Sequence, residues 1–147
     1  MKKLTTIIAG LFLYFSASAF SGTDAYVSAK IKTVFEKEFI SAYDIKWTKK
    51  NDLYIASFKE NDTYLTAAYT EEGELLSIGR YIEMSKLPLK VLRELQNKYS
   101  SYVIDPTVIE LSTDETSYFI YAENEKYKLK LKSDTSGNLQ VESKTKM

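Results

Sequence analysis

The chain has 147 residues, with 20 basic and 20 acidic side chains, and it contains neither cysteine nor histidine. That length suits one domain, or two small halves sharing a core. Without cysteine there is no disulfide, no thiol chemistry and no lipid-anchored export; without histidine the commonest general base, the usual zinc ligand and the histidine-assisted nucleophiles are absent.

The first element is an export signal. Lys2 and Lys3 precede a short apolar run, and Ala17 and Ala19 form the small-x-small pattern of a cleavage site. The run is short for a membrane span, so residues 1–19 are read as a cleaved secretory signal that leaves no stable membrane anchor. Removing Lys2 and Lys3 leaves 18 basic against 20 acidic residues, a net charge of −2. That near balance argues against nucleic acid as a partner. Twelve tyrosines and seven phenylalanines point to strands and an adhesive surface.

A helix comes next. Val27, Ile31, Val34 and Phe35 fall at helical spacing, with Thr23 or Asp24 available as its cap. Strands are expected near 43–49, 52–59, 63–70 and 75–82, joined by the turns "KKND", "ENDT" and "EEGE". A second helix begins at "LPLKVLREL", with Pro88 in its first turn and Val91, Leu92, Leu95 and Tyr99 as its buried stripe. Strands near 107–113, 117–123, 127–133 and 139–145 follow, joined by "TDET", "NEK" and "TSGN".

Sliding the sequence against itself by 64 residues brings the two runs into line without a gap. Ile31 and Phe35 fall on Leu95 and Tyr99, Trp47 on Leu111, Leu65 on Leu129 and Gly73 on Gly137. The reading is an internal duplication. The expected fold is therefore α+β, a tandem repeat of a helix plus a four-stranded antiparallel sheet, with the helices on one face of the combined sheet. Residues 20–83 and 84–147 are the two repeats of one continuous domain.

The acidic stretch "TEEGELL" falls on "DTSGNLQ", so the offset keeps the glycine and loses Glu71, Glu72 and Glu74. Those carboxylates are read as solvated residues of a turn that needs glycine's positive φ. Neither "DTSGN" nor "ENDT" has the spacing of a calcium loop, and no metal or cofactor is expected.

Alternation assigns the sheet faces. In "YKLKLKS", Leu129 and Leu131 point toward the helix, and Lys128, Lys130 and Lys132 point to an open, wet face. Phe119 and Tyr121 join them there, with Tyr64 on the corresponding face of the first half, while Trp47 and Leu111 both point inward.

This organisation resembles the beta-lactamase-inhibitor-protein-like fold, and the PepSY-like exported proteins of that group above all. The matching features are "YIASF" at 54–58, "AAYTEEGEL" at 67–75, "LP" at 87–88, and Tyr-x18-Gly-x-Leu in both halves. The resemblance implies a periplasmic or secreted protein without catalysis. It implies further that the open sheet face grips a partner and that a hairpin tip carries an acid; the corresponding tip here holds Glu60 and Asp62. The chain lacks the archetype's disulfides and is shorter, so inhibition of a beta-lactamase does not follow.

The leading expectation is thus a binding module for another exported or envelope protein, through Tyr64, Phe119, Tyr121, Lys128, Lys130 and Lys132. The alternatives are a carrier of a small apolar ligand and, less favoured, a carboxylate-based glycan hydrolase using Glu71 to Glu74 or Glu60 with Asp62.

Overall fold

Ser28 opens the first helix. Its backbone is extended, with φ −61° and ψ 150°, and its Oγ accepts a hydrogen bond from the Ile31 amide at 3.4 Å. In this computed structural model, which describes residues 25–147, helix α1 spans Ala29–Glu38. It ends where the Phe39 amide donates to the Phe35 carbonyl at 2.8 Å. The cap is therefore Ser28; Thr23, Asp24 and the signal segment 1–19 lie outside the described residues.

Strands β1 (Tyr43–Lys50), β2 (Leu53–Glu60), β3 (Thr63–Tyr69) and β4 (Leu75–Glu83) follow. A 3-10 turn at Met84–Lys86 leads into helix α2, Leu89–Lys98. Pro88 sits one residue before that helix rather than inside its first turn. Then come β5 (Val103–Ile104), β6 (Thr107–Ser112), β7 (Thr116–Glu123), β8 (Tyr127–Asp134) and β9 (Leu139–Lys146). The eight longer strands lie within one residue of the bounds expected from alternation.

The chain divides into two compact units, with the boundary inside β4 between Gly79 and Arg80. Strand order in the first is β1-β2-β3-β4; in the second it is β6-β7-β8-β9, with β5 also paired to β7. The hairpins β1–β2, β2–β3, β6–β7, β7–β8 and β8–β9 are antiparallel, so the class is α+β.

A ten-residue helix is marginal alone, so packing must hold each one. The Phe35 ring lies 5.3 Å from Trp47, 4.9 Å edge-on from Phe58 and 5.2 Å from Phe39. Ile31, Ala56, Ala67 and Tyr69 complete that core. In the second unit Val91 and Leu95 pack on Val108, Tyr118, Ile120, Ala122, Leu129 and Leu131. Each helix thus covers one face of its own unit's strands.

The turns follow their residues. Asn61 and Asp62 both take positive φ, 49° and 60°, the two-residue primed turn that matches strand twist. Gly73 and Gly137 sit at φ 83° and 88°, as the shared glycine requires.

A single offset of 64 does not hold along the chain. Val103 pairs with Glu123 as Tyr43 pairs with Lys59, so the partners lie 64 apart while Tyr43 and Val103 lie 60 apart. The helices Ala29–Glu38 and Leu89–Lys98 are also displaced by 60. From β2 onward the displacement is 64. The difference accumulates in two places: the Asp105–Pro106 interruption between β5 and β6, and the longer turn at Thr113–Glu115. Pro106 lacks the N–H a ladder needs, which splits one strand into β5 and β6.

This corrects the pairing of Trp47 with Leu111. Trp47 pairs with Ala56 and joins the core under α1. Leu111 pairs with Ser117, on the same side as Ile109 and Phe119, away from α2. Val108 takes the inward position instead.

β1 and β9 end the strand orders of their units. The ladder shifts register between Tyr43 and Lys46 in β1, where Asp44 has φ 54°, and between Lys130 and Leu131 beside β9.

Candidate functional site

The ladder between β7 and β8 places Phe119 opposite Lys132, Tyr121 opposite Lys130 and Glu123 opposite Lys128. Residues paired across an antiparallel ladder project to the same side. Tyr118, Ile120, Ala122, Leu129 and Leu131 take the side under α2. Five of the six expected binding residues therefore share one face of the second unit. Tyr64 belongs to the first unit, where it pairs with Lys59, and Lys59 pairs with Tyr43, away from α1.

Their exposure departs from the expectation of a uniformly wet face. Lys128 and Tyr64 are exposed, and Tyr121 and Lys132 are half-buried. Phe119 is only 2% exposed and Lys130 only 6%. The Lys130 ammonium lies 4.6 Å from the Phe119 ring centroid and the Lys132 ammonium 5.7 Å from the same ring. The quadrupole of the ring attracts both cations, and the methylene stem of Lys130 packs along apolar surface. That is how a lysine becomes buried where alternation alone predicts a solvated one. Burial holds the Lys130 amine below its ordinary pKa; Glu142 on β9 opposes the shift and Lys132 adds to it. Burial raises the Tyr121 phenol, with Tyr81 and Asp105 contributing.

The first unit carries a smaller cluster. The Lys59 ammonium lies 4.8 Å from the Tyr64 ring centroid, 5.9 Å from that of Tyr43 and 3.3 Å from Asp44 Oδ2. Tyr64 first, and Asp44 after it, hold the Lys59 amine above its usual pKa. Tyr43 and Lys59 were not among the expected site residues, although the "ENDT" turn already sets Lys59 across from Tyr64.

The hairpin-tip acids are partly engaged. Asp62 Oδ1 accepts a hydrogen bond from the Tyr43 hydroxyl at 2.6 Å. Glu60 is half-buried and pairs with Thr63 beside the tip. Glu71, Glu72 and Glu74 lie in the turn between β3 and β4, as expected. Glu71 pairs with Lys49 at 2.9 Å, and the Glu74 amide donates to Thr70 Oγ1 at 3.2 Å. Among the described residues no three acids gather into a metal site.

Two grooves lie in the second unit. One, of about 350 Å³, is lined by Val103, Ile104, Pro106, Tyr121, Lys128 and Leu129 among others. Another, of about 620 Å³, lies between Val103, Glu123–Lys126 and Met147. Both open to solvent. Among the described residues no helix is long and apolar enough to cross a membrane.

Comparison with known proteins places this architecture. No family model matches the chain, and no curated protein matches it. Solved structures do. A "putative periplasmic" protein from Bacteroides eggerthii aligns with TM-score 0.72 and 16% identity, over 83% of this chain and 90% of its own. A DUF2874 family protein from Bacteroides uniformis aligns with TM-score 0.71 and 14% identity, over 82% and 90%. A BLIP-like protein from Bacteroides fragilis aligns with TM-score 0.70 and 20% identity, over 84% and 88%. At these identities the likeness establishes a shared fold.

Proposed function

We propose that the chain is an exported, non-catalytic protein-binding module of the PepSY-like and BLIP-like kind, descended from a duplicated helix-plus-sheet unit. It acts in the periplasm or outside the cell on another exported or envelope protein. The observation that carries this reading is the lattice of aromatic rings and lysines on the sheet face opposite each helix. Phe119 lies beneath Lys130 and Lys132, and Lys59 lies between Tyr43 and Tyr64. The exposed rings of Tyr43 and Tyr64 offer contact area at little entropic cost, and the basic groups favour an acidic partner. The fold shared with a BLIP-like protein and a "putative periplasmic" one supports both binding and export.

The test is capture of partners from an envelope extract. Replacing Tyr64 and Tyr121 by alanine should release the captured partner. Retention of every partner by the double variant would overturn the assignment of this face.

A second reading, a carrier of a small apolar ligand, is favoured by the groove of about 350 Å³, whose wall includes Val103, Ile104, Pro106 and Leu129. Release of a small apolar molecule on denaturing the purified protein would support it. The hydrolase reading finds its acids in turns and ion pairs, with nothing to set two of them across a cleft.

A further inference from the structure

We infer that Lys130 and Lys132 form a seat for a carboxylate side chain, an aspartate or glutamate presented by the protein partner. The inference rests on the binding role proposed above and names the chemistry that the face selects.

Both ammonium groups stand over one ring, that of Phe119. Among the described residues neither has a carboxylate within 4.0 Å, whereas Lys49, Lys59, Arg80, Lys98 and Lys128 each do. Glu142 acts on Lys130 from β9 without reaching ion-pair distance. A lysine only 6% exposed and lacking a counter-ion is costly, and a carboxylate brought by a partner offsets that cost.

The seat can be reached. The buried polar atoms without a hydrogen-bond partner, among the described residues, are Tyr69 Oη and Ser77 Oγ. The Lys130 ammonium is not one of them, so its stem is buried while its tip touches solvent. Tyr121, directly across the ladder from Lys130, supplies a phenol beside the seat. Phe119, itself buried, holds the two ammonium groups from below, and the half-buried Tyr121 ring gives an apolar contact for the methylenes of a glutamate.

The experiment titrates the protein with a short glycine–glutamate peptide, and separately with its glutamine counterpart, free glutamate and inorganic phosphate. Binding is followed by calorimetry and by NMR of the lysine side-chain amines. The glutamate peptide should bind, move the Lys130 and Lys132 signals, and weaken in high salt. Lys130→Met and Lys132→Met should each weaken it by about tenfold or more. Methionine keeps the packing over Phe119, and Lys130→Met should also melt at a higher temperature than the parent. Lys132→Met, at a half-buried position, serves where Lys130→Met repacks.

Unchanged binding in both variants, or no binding of the glutamate peptide, would overturn the seat. Free glutamate or phosphate binding as tightly as the peptide would overturn the protein partner in favour of a small-anion site. Capture from envelope extract separates the two levels. If the lysine variants hold a partner that the Tyr64/Tyr121 variant loses, the seat fails and the binding face stands. If the tyrosine variant loses nothing, the binding face itself fails.

Discussion

The Tyr43 hydroxyl donates to Asp62 Oδ1 at 2.6 Å and so ties the start of β1 to the tip of the β2–β3 hairpin, 19 residues away. The bond is solvent-exposed, and it raises the Tyr43 phenol above its ordinary pKa. Tyr43→Phe should leave the global melt nearly unchanged while hydrogen exchange at the Asn61 and Asp62 amides quickens. Unaltered exchange at the tip would show that the primed turn needs no tether.

Phe35 joins helix and sheet in the first unit through ring contacts with Phe39, Trp47, Phe58 and Tyr69. Phe35→Ala should cost about 3–5 kcal/mol, the range for emptying a packed aromatic site. Denaturant unfolding with the midpoint and slope both fitted measures it; a loss below about 1 kcal/mol would mean that the site collapses around the gap.

Gly73 and Gly137 share a positive φ but not their surroundings. A Cβ on Gly73 would come no closer than 3.7 Å to Lys30, whereas one on Gly137 would stand 3.1 Å from the Lys90 carbonyl oxygen. Gly73→Ala should therefore cost only the backbone strain, about 1–2 kcal/mol. Gly137→Ala should cost visibly more in the same unfolding experiment, because it also pushes against the helix backbone. Equal losses would refute the steric part.

Tyr69 is fully buried, and its hydroxyl finds no partner. Tyr69→Phe should be neutral or stabilising by about 1 kcal/mol, since it removes an unsatisfied donor without removing the ring. Burial, with a smaller contribution from Glu38, lifts the Tyr69 phenol above its ordinary value of 10.0. A raised folded-state pKa means that the unfolded chain loses its proton first. Stability from this group is intact below about pH 10 and falls as pH rises beyond it. The alkaline loss should be smaller in Tyr69→Phe, measured as melting temperature against pH.

Strands from β2 onward are readable because their alternation is clean and their turns are short. Leu129 and Leu131 against Lys128, Lys130 and Lys132 leave one choice of inward face. The first half of each unit is harder. Four residues are close to one helical turn, so moving a helix from a displacement of 60 to one of 64 lays its apolar stripe on itself. Ile31 then matches Leu95 as well as it matches Val91. A strand gives no such latitude: Val108 and Leu111 are three positions apart, and an odd step turns a side chain to the opposite face. A constant displacement of 64 therefore puts Leu111 on the wrong face while it still superposes the helical stripes. The burial of Lys130 is illegible for another reason. Alternation reports which way a side chain leaves the backbone, whereas its burial depends on the ring across the ladder, and Phe119 is 11 positions earlier in the sequence.

The irregularities of β1 and β9 bear on whether another strand can add to either unit. Asp44 and the slipped ladder in β1, and the displaced register with Glu142, Lys144 and Lys146 in β9, roughen the rims that a foreign strand would need to zip onto in each unit. Such rims hinder a cysteine-free chain from polymerising through its own backbone. Under the binding role proposed above, they favour contact through side-chain tips on a sheet face over the addition of a strand.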